Sequence, residues 1–370
     1  MTRDAAFLSE DNDIFDVAVV GAGIVGLVVA HRLSKTGRRV CVLEKDQGPG
    51  RGVTAGQASV IHVVQLPFGS QKSRLAMRGN LMYDDLCEEL GVKKMRIPAL
   101  LVVRGWPSVP VLFFAYLYLR INLGGPFSVH LMRGGSLRKL EPLLSESVTA
   151  GIVVNGYGTV DVPSLVQSLV ETSTERGVSF RFGCEVTGAE PSIYGTNLKT
   201  SEGIVKARFV VNAAGLYSDE VAEMLGSHMG KLEPGLGVMA VYAGLGVRNV
   251  VAPLPVNTGS RTKGGAIIPA TDGTTIVGPT LRVAKSKEDR SFTQEDLDLL
   301  NGKFGPLLSA RGTQSRVYVG VRPLSPTRDF IIEFDAKRRV VNLVGIESPG
   351  LTAAPAIAEV VEKHVLEAAL

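Results

Sequence analysis

Within the first fifty residues, two short apolar runs flank a segment whose apolar positions have helical spacing. The run Asp16–Val20 predicts a buried strand, and residues 27–33 keep helical spacing up to Gly37. A second apolar run, 39–43, predicts another buried strand that ends at Glu44. Strand, turn, helix and strand within about 30 residues predict a parallel βαβ unit.

The rest of the chain divides into two patterns. An amphipathic helix is predicted from Val162 to Gly177, and a buried strand at 209–211 leads into a turn of small residues. Between 236 and 301, short apolar runs separated by glycine and proline indicate antiparallel strands and hairpins. The first pattern then returns before a C-terminal helix. We therefore predict an α/β protein with a nucleotide-binding lobe of discontinuous segments and a second, antiparallel lobe.

Composition and charge exclude several classes of protein. With 45% hydrophobic and 21% charged residues, the chain has the composition of an ordered globular protein. Its net charge of +4 is spread without a Lys/Arg block, which argues against nucleic-acid binding. Cys41, Cys87 and Cys184 are far apart with no CxxC, so we expect no disulfide framework and no metal site. The N-terminus has no apolar signal-like region, and we expect a cytoplasmic protein.

The turn after the first strand carries a dinucleotide-binding fingerprint, Gly21-x-Gly23-x-x-Gly26. Gly21 permits a tight turn, Gly23 lets the backbone approach a pyrophosphate, and Gly26 lets helix and strand pack closely. The phosphates then meet the N-terminus of the helix, where the macrodipole favours anions. Glu44, at the end of the second strand, can accept from ribose hydroxyls and would repel a 2′-phosphate.

One uncharged segment does not fit the ordinary pattern of a surface helix. Residues 105–119 read GWPSVPVLFFAYLYL, and Arg120 follows. The segment is shorter than the ~20 residues that a membrane-spanning helix needs. It is therefore a buried element, a surface for a partner, or a contact with a membrane surface.

Several motifs resemble one family. They are GAGIVG near the N-terminus, VVNAAGLYSDEV in the middle, and VRPLSPTRDFIIE followed by VGIESPGLTAAPAIAEVV near the end. They resemble the FAD-dependent D-amino-acid-oxidase-type superfamily over nearly the whole chain. Within it, the chain is most similar to the branch of FAD-dependent glycerol-3-phosphate dehydrogenases and L-2-hydroxyglutarate oxidases. The hairpin RTKGGAIIPATDGTTIVGPT fits the same branch.

The resemblance implies FAD as the cofactor and a fold of two domains. The Rossmann-type FAD-binding domain would comprise residues 1–95, 146–235 and 318–370. The substrate domain, α+β and built on an antiparallel sheet, would comprise residues 96–145 and 236–317. The N-terminus of the last helix would stabilise the negative charge of the reduced flavin. The candidate cofactor-binding residues are Gly21, Gly23, Ile24, Val25, Gly26, Glu44, Lys45, Thr54, Gly56, Gln57, Ser59, Val186, Ala213, Ala214, Gly215, Gly345, Gly350, Leu351 and Thr352.

Three side chains are candidates for the chemistry that the resemblance implies. Arg322 would bind the anionic group of the substrate, because a guanidinium matches carboxylate or phosphate oxygens; its alternative is a structural ion pair, such as one with Asp329. Lys263 would add a second positive charge for the same anionic group. Its alternative is a solvated lysine in a hairpin. His62 would accept or orient the substrate hydroxyl, and its alternative is a hydrogen-bonded core histidine.

The implied reaction is the oxidation of sn-glycerol 3-phosphate to dihydroxyacetone phosphate, with electrons passed to a quinone or another acceptor. An L-2-hydroxy acid such as 2-hydroxyglutarate is the alternative substrate, and a non-catalytic flavin-binding interaction protein is the alternative class. If the electrons pass to a quinone, we expect the protein to be attached peripherally at the inner face of the cell membrane. The attachment would be through residues 105–119 or through a membrane-anchoring partner. The sequence is also compatible with a homodimer.

Overall fold

The structure, a computed structural model, describes residues 14–254 and 264–368. Eight α-helices lie in these two ranges: α1 (Ile24–Leu33), α2 (Gln71–Glu89), α3 (Val109–Asn122), α4 (Gly134–Leu140), α5 (Val162–Glu175), α6 (Ser218–Met224), α7 (Gln294–Phe304) and α8 (Gly350–Glu367). The strands in the same ranges are β1 (Ile14–Val20), β2 (Val40–Glu44), β3 (Val60–Ile61), β4 (Lys94–Arg96), β5 (Ala99–Arg104), β6 (Val129–Arg133), β7 (Val148–Val154), β8 (Gly158–Val160), β9 (Ser179–Phe182), β10 (Val186–Ser192), β11 (Gly195–Thr200), β12 (Gly203–Asn212), β13 (Glu233–Ala243), β14 (Val250–Pro253), β15 (Ala266–Pro269), β16 (Thr275–Gly278), β17 (Arg282–Val283), β18 (Thr313–Leu324), β19 (Ile331–Asp335) and β20 (Val340–Val344).

The first sheet has a doubly wound parallel centre. Its parallel strands lie in the order β9-β2-β1-β12-β20, and β10, β11 and β19 extend it in antiparallel fashion. Val17 and Val19 of β1 pack on one face with α1, α5 and α8, whereas Ala18 and Val20 pack on the other face. Burial on both faces explains why residues 17–20 of β1 are continuously apolar rather than alternating. The βαβ unit predicted from the sequence is confirmed.

The second sheet is mixed and has nine strands among the described residues. Its order is β17-β13-β16-β15-β14-β5-β7-β6, and β18 pairs with β13. Strand β5 runs parallel to β14 and antiparallel to β7. Helix α3 packs on this sheet through Leu112 and Leu119. A small third sheet, β3-β8-β4, lies apart from these two.

Two strands differ from the domain division predicted from the sequence. Strand β7, within the range 146–235 assigned to the FAD-binding domain, pairs with β5 and β6 of the second sheet. The part of β18 after residue 318 also pairs with β13 of that sheet. Both assignments are corrected here. Apolar runs such as β7 reveal a buried strand but contain no signal for which sheet the strand joins.

Helices α2 and α8 are packed closely at the start of α8. A Cβ on Gly79 would lie 2.1 Å from the carbonyl oxygen of Thr352, so no side chain fits there. Beside it, the Tyr83 hydroxyl donates to the carbonyl oxygen of Leu351 at 2.6 Å. The N-terminus of α2 is held by Asp329, whose carboxylate accepts from the backbone N–H groups of residues 71 and 72. The last helix is thereby fixed to the middle of α2.

We expect Gly79→Ala to destabilise the protein by ~1–3 kcal/mol, because the new methyl group must displace backbone. Gly302→Ala is the matched control, since Gly302 also lies in a helix but has open space where its Cβ would be. That control should be neutral or stabilising by up to ~1 kcal/mol, the difference in helix propensity. Urea unfolding followed by circular dichroism measures both, and equal stability of the two variants would contradict the close packing.

Candidate active site

A cavity of about 910 Å³ lies between the first and second sheets. Its wall on one side is formed where parallel strands β1, β2 and β12 end, at Gly21, Glu44 and Ala213. The opposite wall is apolar and comes from the second sheet, with Leu101, Met239, Ala252 and Ile268. A crevice at the carboxyl ends of parallel strands is the usual position of a ligand in an open α/β sheet.

The turn into α1 is tight enough to exclude side chains. Gly21 has φ +106°, and a Cβ there would lie 2.5 Å from the carbonyl oxygen of Ala213. A Cβ on Gly26 would lie 2.0 Å from the carbonyl oxygen of Gly21. The backbone N–H of Ile24 donates to Thr54 Oγ1 at 2.9 Å, which places a hydroxyl at the start of α1. The turn therefore presents backbone and one hydroxyl group, rather than bulky side chains, to the cavity.

Glu44 is held at the cavity wall by backbone N–H groups. Its carboxylate accepts from Ala22 at 2.7 Å and from Asp46 at 2.9 Å. Each carboxylate oxygen has a further lone-pair site, so Glu44 can still accept from ribose hydroxyls. The glycine cradle, the helix N-terminus and this carboxylate fit the adenosine diphosphate part of FAD.

The middle of the cavity is where the two sheets come into contact. A Cβ on Gly56 would lie 2.3 Å from Cα of Gly320, and a Cβ on Gly320 would lie 2.3 Å from the Gly56 carbonyl oxygen. Nearby, the Tyr318 hydroxyl donates to the carbonyl oxygen of Gln57 at 3.0 Å. Backbone of the first lobe therefore touches strand β18 directly beside the cavity.

His62 lies in the cavity wall and is held by its backbone. Its N–H donates to Thr352 Oγ1 at 3.0 Å, and its carbonyl oxygen accepts from Asn80 Nδ2 at 2.8 Å. The imidazole packs edge-on against Tyr157, with ring centroids 6.0 Å apart. Burial, and secondarily the charge of Arg322, lowers the pKa of His62 to about 4. The imidazole is therefore neutral near pH 7 and able to accept a proton.

Arg322 extends from β18 into the same cavity. Within residues 14–254 and 264–368 its guanidinium forms no hydrogen bond or ion pair. Burial lowers its pKa from the ordinary value, and the charge of Glu347 opposes that shift. Asp329, the alternative partner considered from the sequence, instead caps α2. A half-buried guanidinium that faces a cavity without a paired carboxylate is suited to an anionic ligand.

Most of the residues predicted from the sequence meet at this cavity. Those in its lining are Gly21, Gly23, Ile24, Val25, Glu44, Lys45, Thr54, Gly56, Gln57, His62, Ala213, Ala214, Gly215, Arg322, Gly350 and Leu351. Lys263 lies outside the described residues.

Five predicted residues lie behind the lining instead. Gly26 packs against Gly21, and Thr352 holds the backbone of His62. Ser59 has φ +62° and directly precedes strand β3. Val186 belongs to the core on the outer face of the first sheet, and Gly345 packs against Ser325. These positions shape the cavity wall or core rather than forming the cavity surface.

Sequence reasoning missed other members of the lining. The ring of Tyr217 is in contact with two lysine ammonium groups, those of Lys45 at 5.0 Å and Lys287 at 5.1 Å from its centroid. Glu347 lines the cavity near Arg322 and forms a buried ion pair with Lys72 at 2.6 Å. Both Tyr217 and Glu347 are within motifs quoted from the sequence, VVNAAGLYSDEV and VGIESPGLT. The small residues of those motifs indicate backbone contacts with a ligand. Nothing in the sequence marks the side chains of Tyr217 and Glu347 as members of the cavity lining.

This arrangement of a doubly wound sheet, a glycine cradle and a mixed cap sheet defines a dinucleotide-dependent oxidoreductase. A family model described as FAD dependent oxidoreductase (DAO) matches residues 16–363. The chain therefore belongs to the DAO family of FAD-dependent oxidoreductases, and FAD is its cofactor.

The relatives are similar along almost the whole chain. A glycerol 3-phosphate dehydrogenase of Caloramator mitchellensis is 29% identical over 356 residues, covering 93% of this chain and 72% of the relative. A mitochondrial L-2-hydroxyglutarate dehydrogenase of Arabidopsis thaliana is 26% identical, covering 93% of this chain and 82% of the relative. The fold matches that of the dithionite-reduced L-alpha-glycerophosphate oxidase of Mycoplasma pneumoniae with FAD bound. In that match the TM-score is 0.87 and the identity 23%, and 95% of each chain is covered.

We expect Gly21→Ala to lose bound flavin, because the methyl group would meet the Ala213 carbonyl oxygen and deform the cradle. Gly37→Ala is the control, since Gly37 also has positive φ, +73°, but has nothing within 4 Å of a Cβ. The ratio of flavin to protein absorbance after purification measures the effect. Equal flavin content in the two variants would contradict this role of the turn.

Proposed function

We propose that the protein oxidises sn-glycerol 3-phosphate to dihydroxyacetone phosphate. The observation that carries this proposal is the half-buried Arg322, whose guanidinium faces the cavity without an ion-pair partner among the described residues. The lining also contains a neutral imidazole, that of His62. An anion-binding cation and a proton acceptor in one cavity are what the oxidation of an anionic secondary alcohol requires. The relative from Caloramator mitchellensis supports glycerol 3-phosphate as the substrate.

Each residue has a definite part in the proposed reaction. Arg322 binds the phosphate and so orients the carbinol carbon. The imidazole of His62 takes the proton of the hydroxyl group as the carbonyl double bond forms. FAD, when bound, supplies the redox chemistry by accepting the hydride from that carbon. The N-terminus of α8, at Gly350 and Leu351, stabilises negative charge that develops next to it.

L-2-hydroxyglutarate is the second candidate substrate. It is favoured by the relative from Arabidopsis thaliana, and its carboxylates would suit Arg322 equally well. Anaerobic titration of the purified flavoprotein with each compound separates the candidates. Bleaching of the flavin absorbance by glycerol 3-phosphate alone supports the first, and bleaching by the hydroxy acid alone replaces it with the second. A flavin that neither compound reduces would contradict both substrates and favour a non-catalytic flavin-binding protein.

The electron acceptor is proposed to be a quinone. The apolar wall of the cavity suits such an acceptor, and the exposed apolar segment 105–119 suits a contact with a membrane surface or a membrane-anchored partner. No helix in the described ranges is long and apolar enough to cross a bilayer. Steady-state oxidation of the substrate with a soluble quinone analogue, compared with oxygen, tests the acceptor.

We expect Arg322→Met to lower kcat/KM for glycerol 3-phosphate by at least about 30-fold, equivalent to ~2 kcal/mol for a lost charge contact. The loss should fall mainly on KM, because Arg322 binds the non-reacting end of the substrate. Arg316→Met on the same strand is the control: Arg316 is exposed, packs over Tyr318 and is not part of the lining. Unchanged KM in Arg322→Met would contradict the assignment.

We expect the rate of flavin reduction to persist well below the ordinary histidine pKa of 6.5. Because the pKa of His62 is lowered to about 4, the base stays deprotonated until the pH falls towards that value. Stopped-flow reduction at saturating substrate gives the profile without the effect of phosphate ionisation on binding. A limb centred near pH 6.5 would contradict a desolvated base. His62→Gln should reduce the rate by ~10²-fold or more and abolish the decrease in rate that the unmodified protein shows as the pH approaches 4.

A further inference from the structure

Helix α3 has apolar side chains on its outward side. Leu112 and Leu119 are buried against the second sheet, whereas Pro110, Phe114, Leu117 and Ile121 are exposed. The spacing of i, i+4, i+7 and i+11 places these four on one side of the helix. Phe114 is 69% exposed and Ile121 is 82% exposed. A surface helix in a soluble protein normally has polar residues on that side.

Other exposed apolar residues adjoin the helix. Trp106, in the turn that leads into α3, is 69% exposed, and Phe113 is also exposed. We call the set Trp106, Pro110, Phe113, Phe114, Leu117 and Ile121 the apolar face. A contiguous exposed surface of this kind marks an interaction site.

The charge along the chain on either side of the apolar face has one sign. Between residues 91 and 140 the sequence contains no aspartate or glutamate and eight lysines or arginines. Arg104 and Arg120 flank the apolar segment and are both exposed. Apolar side chains with tryptophan, flanked along the chain by basic residues, match the interface of a bilayer that contains anionic phospholipids. The exposed arginines at both ends of the segment complement an anionic surface in particular.

The same helix also forms part of the active-site cavity. Ala115, Tyr118 and Leu119 of α3 line the cavity together with Leu66, and Tyr118 and Leu66 are partly exposed to solvent. The Tyr118 ring packs on Phe68 at 5.6 Å between centroids. One helix is therefore both the apolar face and a wall of the cavity.

We propose that the apolar face binds directly to the surface of a bilayer containing anionic phospholipids, with α3 lying in the interface. The helix has 14 residues, too few to cross. The bound orientation brings the cavity wall formed by α3 next to the lipid, so an amphiphilic electron acceptor reaches the cavity from the bilayer. This last step rests on the proposed function, whereas lipid binding itself does not.

The single tryptophan of the chain makes the test specific, because Trp106 is on the apolar face. The full flavoprotein is mixed, without substrate, with vesicles of phosphatidylcholine alone or with added phosphatidylglycerol. We expect co-sedimentation and a blue shift of tryptophan emission with the anionic vesicles only, reversed by high salt. Protein that stays in the supernatant with both vesicles, or that binds both equally, would overturn the proposal.

Matched variants distinguish binding through the apolar face from nonspecific adsorption to vesicles. Phe114→Asp/Ile121→Asp should weaken vesicle binding by at least about 10-fold, because both side chains would enter the interface. Ile193→Asp is the control, since Ile193 is 91% exposed in the hairpin between β10 and β11 and should leave binding unchanged. Anaerobic flavin reduction without vesicles should be normal in both variants, so loss of turnover is distinguishable from loss of lipid binding.

A protein partner would give a different result. If the apolar face were covered by a second copy of the chain, analytical ultracentrifugation would show a dimer that the Phe114→Asp/Ile121→Asp variant dissociates. That outcome, without vesicle binding, overturns the membrane proposal in favour of a homodimer. A monomer that binds anionic vesicles supports it.

Discussion

The seam between α2 and α8 is the contact on which the geometry of the cavity depends. Gly79 lets the two helices approach until backbone meets backbone, and Tyr83 fixes the carbonyl group of Leu351. At this seam Thr352 accepts from the N–H of His62 and donates to the carbonyl oxygen of Val60. Residues that are almost 300 positions apart in the chain are thereby held at hydrogen-bonding distance. The backbone of His62 is thus held by the side chains of Thr352 and Asn80, while its imidazole packs against Tyr157.

Two charged side chains, those of Glu347 and Arg322, determine the electrostatics of this part of the cavity. Glu347 is neutralised by Lys72 in a pair that is almost wholly buried, and removing either partner would leave an unpaired charge. Lys72 also donates to the carbonyl oxygen of Arg328, next to the aspartate that caps α2. Arg322 shares the lining with Glu347 but is not paired with it, so its charge acts on whatever enters the cavity and on His62. The ion pair of Glu347 with Lys72 leaves the Arg322 guanidinium, among the described residues, to act on an anion in the proposed reaction.

Local patterns in the sequence were sufficient for the nucleotide-binding half of the fold. The first strand, the glycine turn and Glu44 are contiguous, so periodicity and spacing identify them together. Sheet membership of β7 was not predictable, because an apolar strand is compatible with either sheet. Tyr157 and Lys287 were missed for another reason: each reaches the cavity from a segment with no chemical motif of its own. Their roles depend on tertiary contacts between distant parts of the chain.

The spacing of the two sheets beside the cavity is set where Gly56 meets Gly320. Backbone lies against backbone there, and a Cβ at either position would come within 2.3 Å of the other residue. Any side chain at these two positions would therefore push strand β18 away from the first lobe. The width of the cavity at this point thus depends on two residues that contribute no side chain.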